Sequence, residues 1–484
     1  MDARKILGGI DILARTGDAD ADITMLTFDS RTAGPGSMFF AVAGEQSDGH
    51  DYIDSAVEKG AAVVVCERMP ARFADGVAYL RVGDSNEAIG RAASNFYDHP
   101  SRKLHLVGVT GTNGKTTTAT LLYNMFRELG YEAGLISTVT YCVGARCTDS
   151  THTTPDAIRL NAMLADMAAI GCQYCFMEVS SHSIVQRRIE GLVFAGGIFT
   201  NLTHDHLDYH KTFAEYIKAK KTFFDRLPPE AFALVNVDDR NGKVMVQNTK
   251  AQVRTFSLAG VGDYTGRIVE MSMEGMQLRL DGAEVWVRSL GRFNGYNMLG
   301  IYAAAMLLGA DREQVLQTLS GLRAVDGRFE SIASPGGVTA VVDYAHTPDA
   351  LQNVIDTIND ILQPEQKLYV VVGCGGNRDS AKRPVMAQIA ARSSDMAILT
   401  SDNPRMEGPE EIIRQMKAGL TDSDRYLAIT DRREAIRAAA ALARRGDVIL
   451  VAGKGHETYQ DVGGVKHHFD DKEEIAAAFG MMKN

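Results

Sequence analysis

The chain has 484 residues, which at about 150 residues per domain makes roughly three domains, each large enough to bury its own core. Hydrophobic residues make up 45% and charged residues 23%, which excludes wholesale disorder and fibrous repeats. With 51 Lys and Arg against 61 Asp and Glu the formal charge is −10, the wrong sign for a chain whose main partner is a nucleic-acid backbone. No apolar run approaches the roughly 18 to 20 residues that cross a bilayer, and the N-terminal stretch reaches acidic side chains before a hydrophobic region forms. Neither membrane insertion nor a signal peptide is expected, and the cytoplasm is the expected compartment. Six cysteines are too few for a disulfide scaffold. Cys172 and Cys175 lie in an apolar stretch with no second pair at zinc spacing, so they read as buried, reduced thiols.

In chain order, apolar runs at 38–42 and 61–66 alternate with helical patterns at 52–59 and 88–97. They predict a small N-terminal α/β domain over 1–100, closed by Asp98-His99-Pro100-Ser101. From 104 the pattern becomes strand, glycine-rich turn, then a helix with Leu121, Leu122, Met125, Phe126 and Leu129 on one face and Gly130 at its C-terminal end. Further strands are predicted at 174–179, 197–200 and 233–237. The runs 253–257, 267–273 and 277–287 read as a short antiparallel excursion, and this second domain covers 101–327. Over 328–484, strands at 338–343, 368–373, 396–400 and 448–452 alternate with helices at 349–361, 409–418 and 433–444. That is the layout of a doubly wound, Rossmann-like domain.

The sharpest motif is Gly108-Val-Thr-Gly111-Thr112-Asn113-Gly114-Lys115-Thr116-Thr117, between a buried strand and a helix. Glycines let successive backbone N–H groups and the helix N-terminus face an anion, Lys115 supplies a charge to the β/γ-phosphates, and Thr116 can ligate magnesium. The usual spacing would place glycine at 109, where this chain has Val109. The middle domain is therefore expected to be a P-loop ATPase with a parallel sheet, and the fold class α/β with three domains. Glu178 ends an apolar strand, where parallel sheets present side chains to the ligand crevice, and could hold a metal. After another strand, His204, Asp205, His206, Asp208 and His210 crowd into seven residues, a density that suits a metal-phosphate loop. Lys218, Lys220 and Lys221 follow in a helical pattern with Phe213, Tyr216, Ile217, Phe223 and Phe224. By themselves they read as a solvated basic face.

In the last domain four strands each end in a polar loop: Asp343-Tyr-Ala-His346, Gly373-Cys-Gly-Gly-Asn-Arg378-Asp379, Asp402-Asn403-Pro404-Arg405 and Gly453-Lys-Gly-His-Glu457. No G-x-G-x-x-G is present, which excludes a dinucleotide fingerprint. Two arginines among strand ends point to bidentate carboxylate recognition.

Together these motifs resemble the Mur ligases, the ATP-dependent amino-acid-adding enzymes of peptidoglycan precursor synthesis. The resemblance runs through FDSR (28–31), TGTNGKTT (110–117), HTTP (152–155), MEVSSHSIVQRR (177–188), NLTHDHLDYH (201–210), GRFNGYN (291–297), DYAHTPD (343–349), GCGGNRD (373–379), DNPR (402–405) and GKGHE (453–457). It is most similar to the members that add the third residue to UDP-N-acetylmuramoyl-L-alanyl-D-glutamate. It implies a domain each for the UDP moiety, for ATP and for the incoming amino acid.

Carried over by position, the resemblance implies that Phe28, Ser30, Glu45, Gln46 and Ser47 meet the uridine nucleotide. His152, Thr153, Thr154, Ser180, Gln186 and Arg188 would hold the muramoyl dipeptide. His152 stands where relatives often carry Asn. ATP would meet residues 111–117, Asn294, Asn297, Arg328, Asp343 and His346. Thr116, Glu178, His206 and Lys220, the last as a carbamate, would ligate magnesium, and Lys115, His206 and Lys220 would be catalytic. Arg378, Asp402, Asn403, Pro404, Arg405, Gly453 and Glu457 would form the amino-acid pocket. The DNPR version resembles the one that selects meso-diaminopimelate, whose distal carboxylate Arg405 can bind. The implied reaction is ATP-dependent amide formation through an acyl phosphate by a monomer acting on small molecules. A lysine-adding version and a folylpolyglutamate synthase-like ligase are the alternatives, with a P-loop switch lacking ligase activity as a third.

Overall fold

A computed structural model describes residues 1–44, 47–203, 207–422 and 424–481, apart from the side chains of Leu207 and Asp208. Three sheets follow one another along the chain. The first comprises β1 (Ile12–Thr16), β2 (Met25–Thr27), β3 (Ser37–Phe40), β4 (Ala61–Cys66) and β5 (Ala78–Val82), in the order β1-β5-β4-β3-β2. Alternate residues serve its two faces. Met38, Phe40, Val63 and Val65 meet Ala88, Ile89 and Ala92 of the helix Ser85–Phe96, while Phe39, Val64 and Cys66 meet Ile53 and Ala56.

The second sheet has eleven strands: β6 (His105–Thr110), β7 (Ala133–Ile136), β8 (Thr140–Val143), β9 (Arg146–Asp149), β10 (Tyr174–Glu178), β11 (Gly196–Phe199), β12 (Phe232–Asn236), β13 (Gln252–Ser257), β14 (Tyr264–Ser272), β15 (Gly275–Leu280) and β16 (Ala283–Val287). Their order is β16-β15-β14-β13-β12-β11-β6-β10-β7-β8-β9. The antiparallel excursion is smaller than predicted. β13 runs parallel to β12 and β14 parallel to β13, so only β14–β16 are antiparallel, and the run 277–287 is broken at the turn Asp281-Gly282. The pairing partner, absent from local sequence, decides strand direction. The β7–β9 edge was not predicted either. There Cys142 of β8 and Cys147 of β9 form a disulfide. Cys172 and Cys175 are buried thiols, as expected.

The third sheet comprises β17 (Glu330–Ala333), β18 (Thr339–Asp343), β19 (Leu368–Cys374), β20 (Met396–Ser401), β21 (Tyr426–Ala428) and β22 (Val448–Ala452), ordered β17-β18-β22-β19-β20-β21. All but β17 are parallel, so β18, β22, β19 and β20 end at the same edge. A hairpin of β23 (Tyr459–Val462) and β24 (Val465–His468) follows.

The first sheet's layer is tied to the second by one close approach. On the helix Ser85–Phe96, a Cβ at Gly90 would stand 2.7 Å from Glu190 Cβ and 2.8 Å from its carbonyl oxygen. Arg187 in the same turn reaches Asp84 at 2.7 Å and Glu87 at 3.0 Å. Gly90→Val therefore overpacks a backbone contact, and should lower stability by about 1–3 kcal/mol, read as a lower urea midpoint at unchanged slope.

Candidate active site

The phosphate loop begins where β6 ends. A Cβ at Gly111 would lie 1.9 Å from Thr200 Oγ1, and Gly114, at φ +85°, has Asn297 Oδ1 2.5 Å from its would-be Cβ. Close approach of backbone thus demands glycine at 111 and 114, while Val109 lies buried within β6. This accounts for the departure from the usual spacing. Thr112 N donates to Asn201 O at 2.8 Å and Asn113 N to Asn201 Oδ1 at 2.9 Å, which anchors the loop on the segment after β11. Lys115 Nζ donates to the carbonyls of Gly111 at 3.0 Å and Thr112 at 2.7 Å. Thr116 opens the helix Lys115–Glu128, and its hydroxyl accepts from Arg328 Nη2 at 3.2 Å.

Lys220 overturns its reading as part of a solvated face. It is 1% exposed, donates to Gly111 O at 2.8 Å and lies 4.8 Å from the Tyr216 ring centre. On the helix Phe213–Asp225, positions 216, 220, 223 and 224 share the inner face, while Lys218 is exposed and Lys221 pairs with Asp225 at 2.6 Å. Helical phase, which separates the three lysines, was outweighed by their shared charge in the sequence reading.

Glu178 is fully buried and pairs in register with Val109, beside the entry to the loop. Its Oε1 accepts from Thr138 N at 2.7 Å, and among the described residues its buried Oε2 has no hydrogen-bond partner. A buried carboxylate oxygen without a donor among the described residues fits a hard cation. His206, like Glu45 and Gln46, lies outside the described residues.

One cavity is lined by this loop, and two others hold further site residues expected from the sequence. The first, ≈ 360 Å³, is lined by Asn113, Gly114, Thr117, Asn294, Asn297, Arg328, Asp343 and His346. Asn297 Nδ2 donates to Asn294 Oδ1 at 3.0 Å, and the Arg328 guanidinium lies 4.6 Å from the Tyr344 ring centre. Burial pushes the Asp343 carboxyl up, against the pull of Arg328 and of the Phe329 N–H that donates to it. Asp349, to which no role had been assigned, also lines this cavity and accepts from Asn113 Nδ2 at 3.0 Å. A carboxylate in the first turn of a helix carries no signal of a partner more than two hundred residues away.

The second cavity, ≈ 520 Å³, brings Phe28 together with His152, Gln186 and Arg188. Arg188 Nη1 donates to Thr154 O at 2.6 Å, and its other nitrogens grip Gln186 Oε1 at 2.6 and 3.0 Å. Ser30 is buried away from this wall with its carbonyl on Lys59 Nζ, and Ser180 caps the helix Ser181–Val185 by accepting from Ser183 N. Ser47, although described, does not line it. The Thr154 hydroxyl donates to Glu178 O at 2.8 Å, which links this wall to the carboxylate strand.

The third, ≈ 570 Å³, lies over the shared strand edge of the third sheet and is lined by Arg378, Asp402, Asn403, Arg405, Gly453 and Glu457, with Thr153 and His182 from the second sheet's loops. Pro404 does not line it; its carbonyl packs where a Cβ on Gly376 would fall, at 1.9 Å. Arg405 has a left-handed backbone, φ +53°, held by Arg405 N donating to Asp461 O at 2.9 Å and Gly463 N to Arg405 O at 2.7 Å. Tyr344 and His346 line both this crevice and the first cavity, and His182 stacks at 4.1 Å on Tyr209, which lines the second. Sequence reasoning also passed over Arg383 and Glu407. Arg383, 1% exposed, reaches Glu407 at 2.8 Å and Gly375 O at 3.1 Å, tying the Arg378 loop to the Arg405 loop.

Fold and site define a three-domain α/β protein in which a cavity lined by the phosphate loop shares Tyr344 and His346 with a crevice over the third sheet. Residues 109–305 match the model of the Mur ligase middle domain, 327–455 that of the Mur ligase glutamate ligase domain, and 22–97 that of the Mur ligase family catalytic domain. The chain is 56% identical over 481 residues to the UDP-N-acetylmuramoyl-L-alanyl-D-glutamate–2,6-diaminopimelate ligase of Phocaeicola vulgatus, covering 99% of each. It is likewise 56% identical over 483 residues to the ligase of the same description from Bacteroides fragilis, covering 99% of this chain and 100% of that one. A solved structure of a ligase so described superposes with a TM-score of 0.71 at 31% identity, over 99% of both chains. The chain belongs to the Mur ligase family. Among the described residues no helix is long and apolar enough to cross a membrane.

Proposed function

We propose that this chain uses ATP to join meso-diaminopimelate to the γ-carboxylate of the D-glutamate in UDP-N-acetylmuramoyl-L-alanyl-D-glutamate. The observation that carries this reading is that the cavity lined by the phosphate loop shares Tyr344 and His346 with the crevice lined by Arg378 and Arg405. ATP takes the first cavity, the muramoyl dipeptide the second and diaminopimelate the third. The D-glutamate γ-carboxylate attacks the γ-phosphorus, the bond to the β-phosphate oxygen breaks, and ADP leaves. The diaminopimelate amine then attacks the acyl carbon, phosphate departs with the bonding pair, and the ammonium proton is lost to solvent.

Lys115 and the loop N–H groups stabilise charge on the transferred phosphoryl group. Thr116 and Glu178 would hold magnesium, with His206 and a Lys220 carbamate as further donors, and the ion would neutralise phosphate charge. Asn113–Asp349 and Arg328–Thr116 contacts support closure of the third domain on the loop, which brings amine and acyl carbon together. The proposed setting is the cytoplasm, where ATP and the soluble nucleotide substrate are found, and the proposed active form is a monomer.

The test supplies purified protein with ATP, magnesium, the UDP-muramoyl dipeptide and either diaminopimelate or lysine. Equimolar ADP and tripeptide product with diaminopimelate are expected. Product with lysine alone, or no peptide product at all, overturns the assignment.

A further inference from the structure

Lys454 is wholly buried behind Asn403 and Glu457, which line the third cavity. Its Nζ donates to Asn403 Oδ1 at 3.2 Å, lies 3.3 Å from Glu457 Oε2 and stands 5.5 Å from the Tyr459 ring centre. Asn403 Nδ2 in turn donates to Glu457 Oε2 at 2.7 Å, and Asp461 N donates to Asn403 Oδ1 at 2.9 Å. The Asn403 amide is therefore oriented: its oxygen takes the cation and a backbone N–H, and its nitrogen faces the carboxylate.

The charges here can be counted. Arg432, also buried, is bidentate to Asp471 at 2.7 and 2.7 Å and donates to Ala452 O, so its charge is already matched. Asp402 and Glu457 thus set two carboxyls into a crevice that Arg378, Lys382 and Arg405 also line, and Lys454 lies against Glu457. Burying a lysine is costly unless its partners are in place, and here Asn403 Oδ1 and the Glu457 carboxyl supply them.

We propose that Lys454 is a positioning and specificity-determining residue of the amino-acid crevice: it fixes the Asn403 amide and pairs with the Glu457 carboxyl, so that this end accepts an ammonium of the substrate. The inference rests on the diaminopimelate-ligase reading. Burial and the Asp402 charge push the Glu457 carboxyl up, against the pull of Lys454. Burial also opposes ionisation of Asp402, but Lys454 and Arg432 outweigh it and hold that carboxyl below its ordinary range. The other charged or titratable groups around the pair are His346, Tyr344, Tyr459 and Cys374, with Arg378, Asp379, Lys382 and Arg405 along the same crevice. Without Lys454 the Glu457 carboxyl rises further. An ammonium that needs the carboxylate then loses it at a higher pH as pH falls.

The experiment compares the full-length parent with Lys454→Met and Lys454→Arg, measuring KM for each of the three substrates and the KM for diaminopimelate against pH. In the methionine variant the diaminopimelate KM should rise tenfold or more, the other two KM values stay within twofold, and the acid-side rise begin at higher pH. The arginine variant should return the acid limb toward the parent's position. Lys454→Gln, which keeps a donor for Asn403 without charge, should show the same displaced limb and serves if the methionine variant does not fold. An unchanged diaminopimelate KM, a rise in all three together, or an acid limb that stays in place overturns the proposal. A parent that makes no diaminopimelate product fails the functional reading itself, and is distinguished because it fails before any substitution is made.

Discussion

Lys115→Ala should abolish ADP formation to within about 10³-fold of the parent rate or beyond, while the folded state persists. The Lys115 ammonium donates to the Gly111 and Thr112 carbonyls, at the rim of the loop that faces the phosphates. Phosphoryl transfer spreads charge over oxygens, and a fixed cation there acts in the transition state with little reorganisation. Alanine keeps helix propensity at the first position of the helix Lys115–Glu128, and the melting curve reads the loss of the two hydrogen bonds to the loop carbonyls. The check is ADP release with all three substrates present, alongside a melting curve. A variant that retains a tenth of the parent rate would remove Lys115 from the mechanism.

Arg405→Ala should lower kcat/KM for diaminopimelate by about 10²- to 10³-fold, equivalent to roughly 3–4 kcal/mol, and leave the weak use of lysine almost unaltered. Diaminopimelate and lysine differ at the distal carbon, where one carries a carboxylate and the other does not. A guanidinium in the crevice rewards the first and is left unpaired by the second. Alanine retains a Cβ, so the left-handed backbone at φ +53° is no worse served than before. The measurement is the ratio of the two specificity constants. Equal losses with both amino acids would make Arg405 a brace for its loop instead of a selector.

The two residues differ in how far a sequence can expose them. Lys115 follows a strand and glycines and opens a helix, so every feature that defines its role lies within ten residues. Arg405 is legible as an arginine at a strand end, but its conformation depends on the hairpin β23–β24, whose Asp461 and Gly463 bond its backbone. Gln186 and Arg188 sit in a readable motif. Their shared wall with Phe28 depends on how the helix Ser85–Phe96 docks on the turn at 187–191.

By itself the sequence determined the strand–loop–helix of the phosphate site, the alternation of strands and helices in three domains, and the order of motifs that marks the Mur ligase family. These follow from local rules: hydrophobic period, glycine at close backbone approaches, polar loops at strand ends. Only the tertiary structure decided that β13 is parallel, that Lys220 is buried against Gly111, that Glu178 keeps one carboxylate oxygen without a hydrogen bond among the described residues, and that Lys454 is buried against Asn403 and Glu457. Each of those depends on groups brought together from separate elements, and desolvation and charge pairing, which set what such groups do, arise only once those elements have packed.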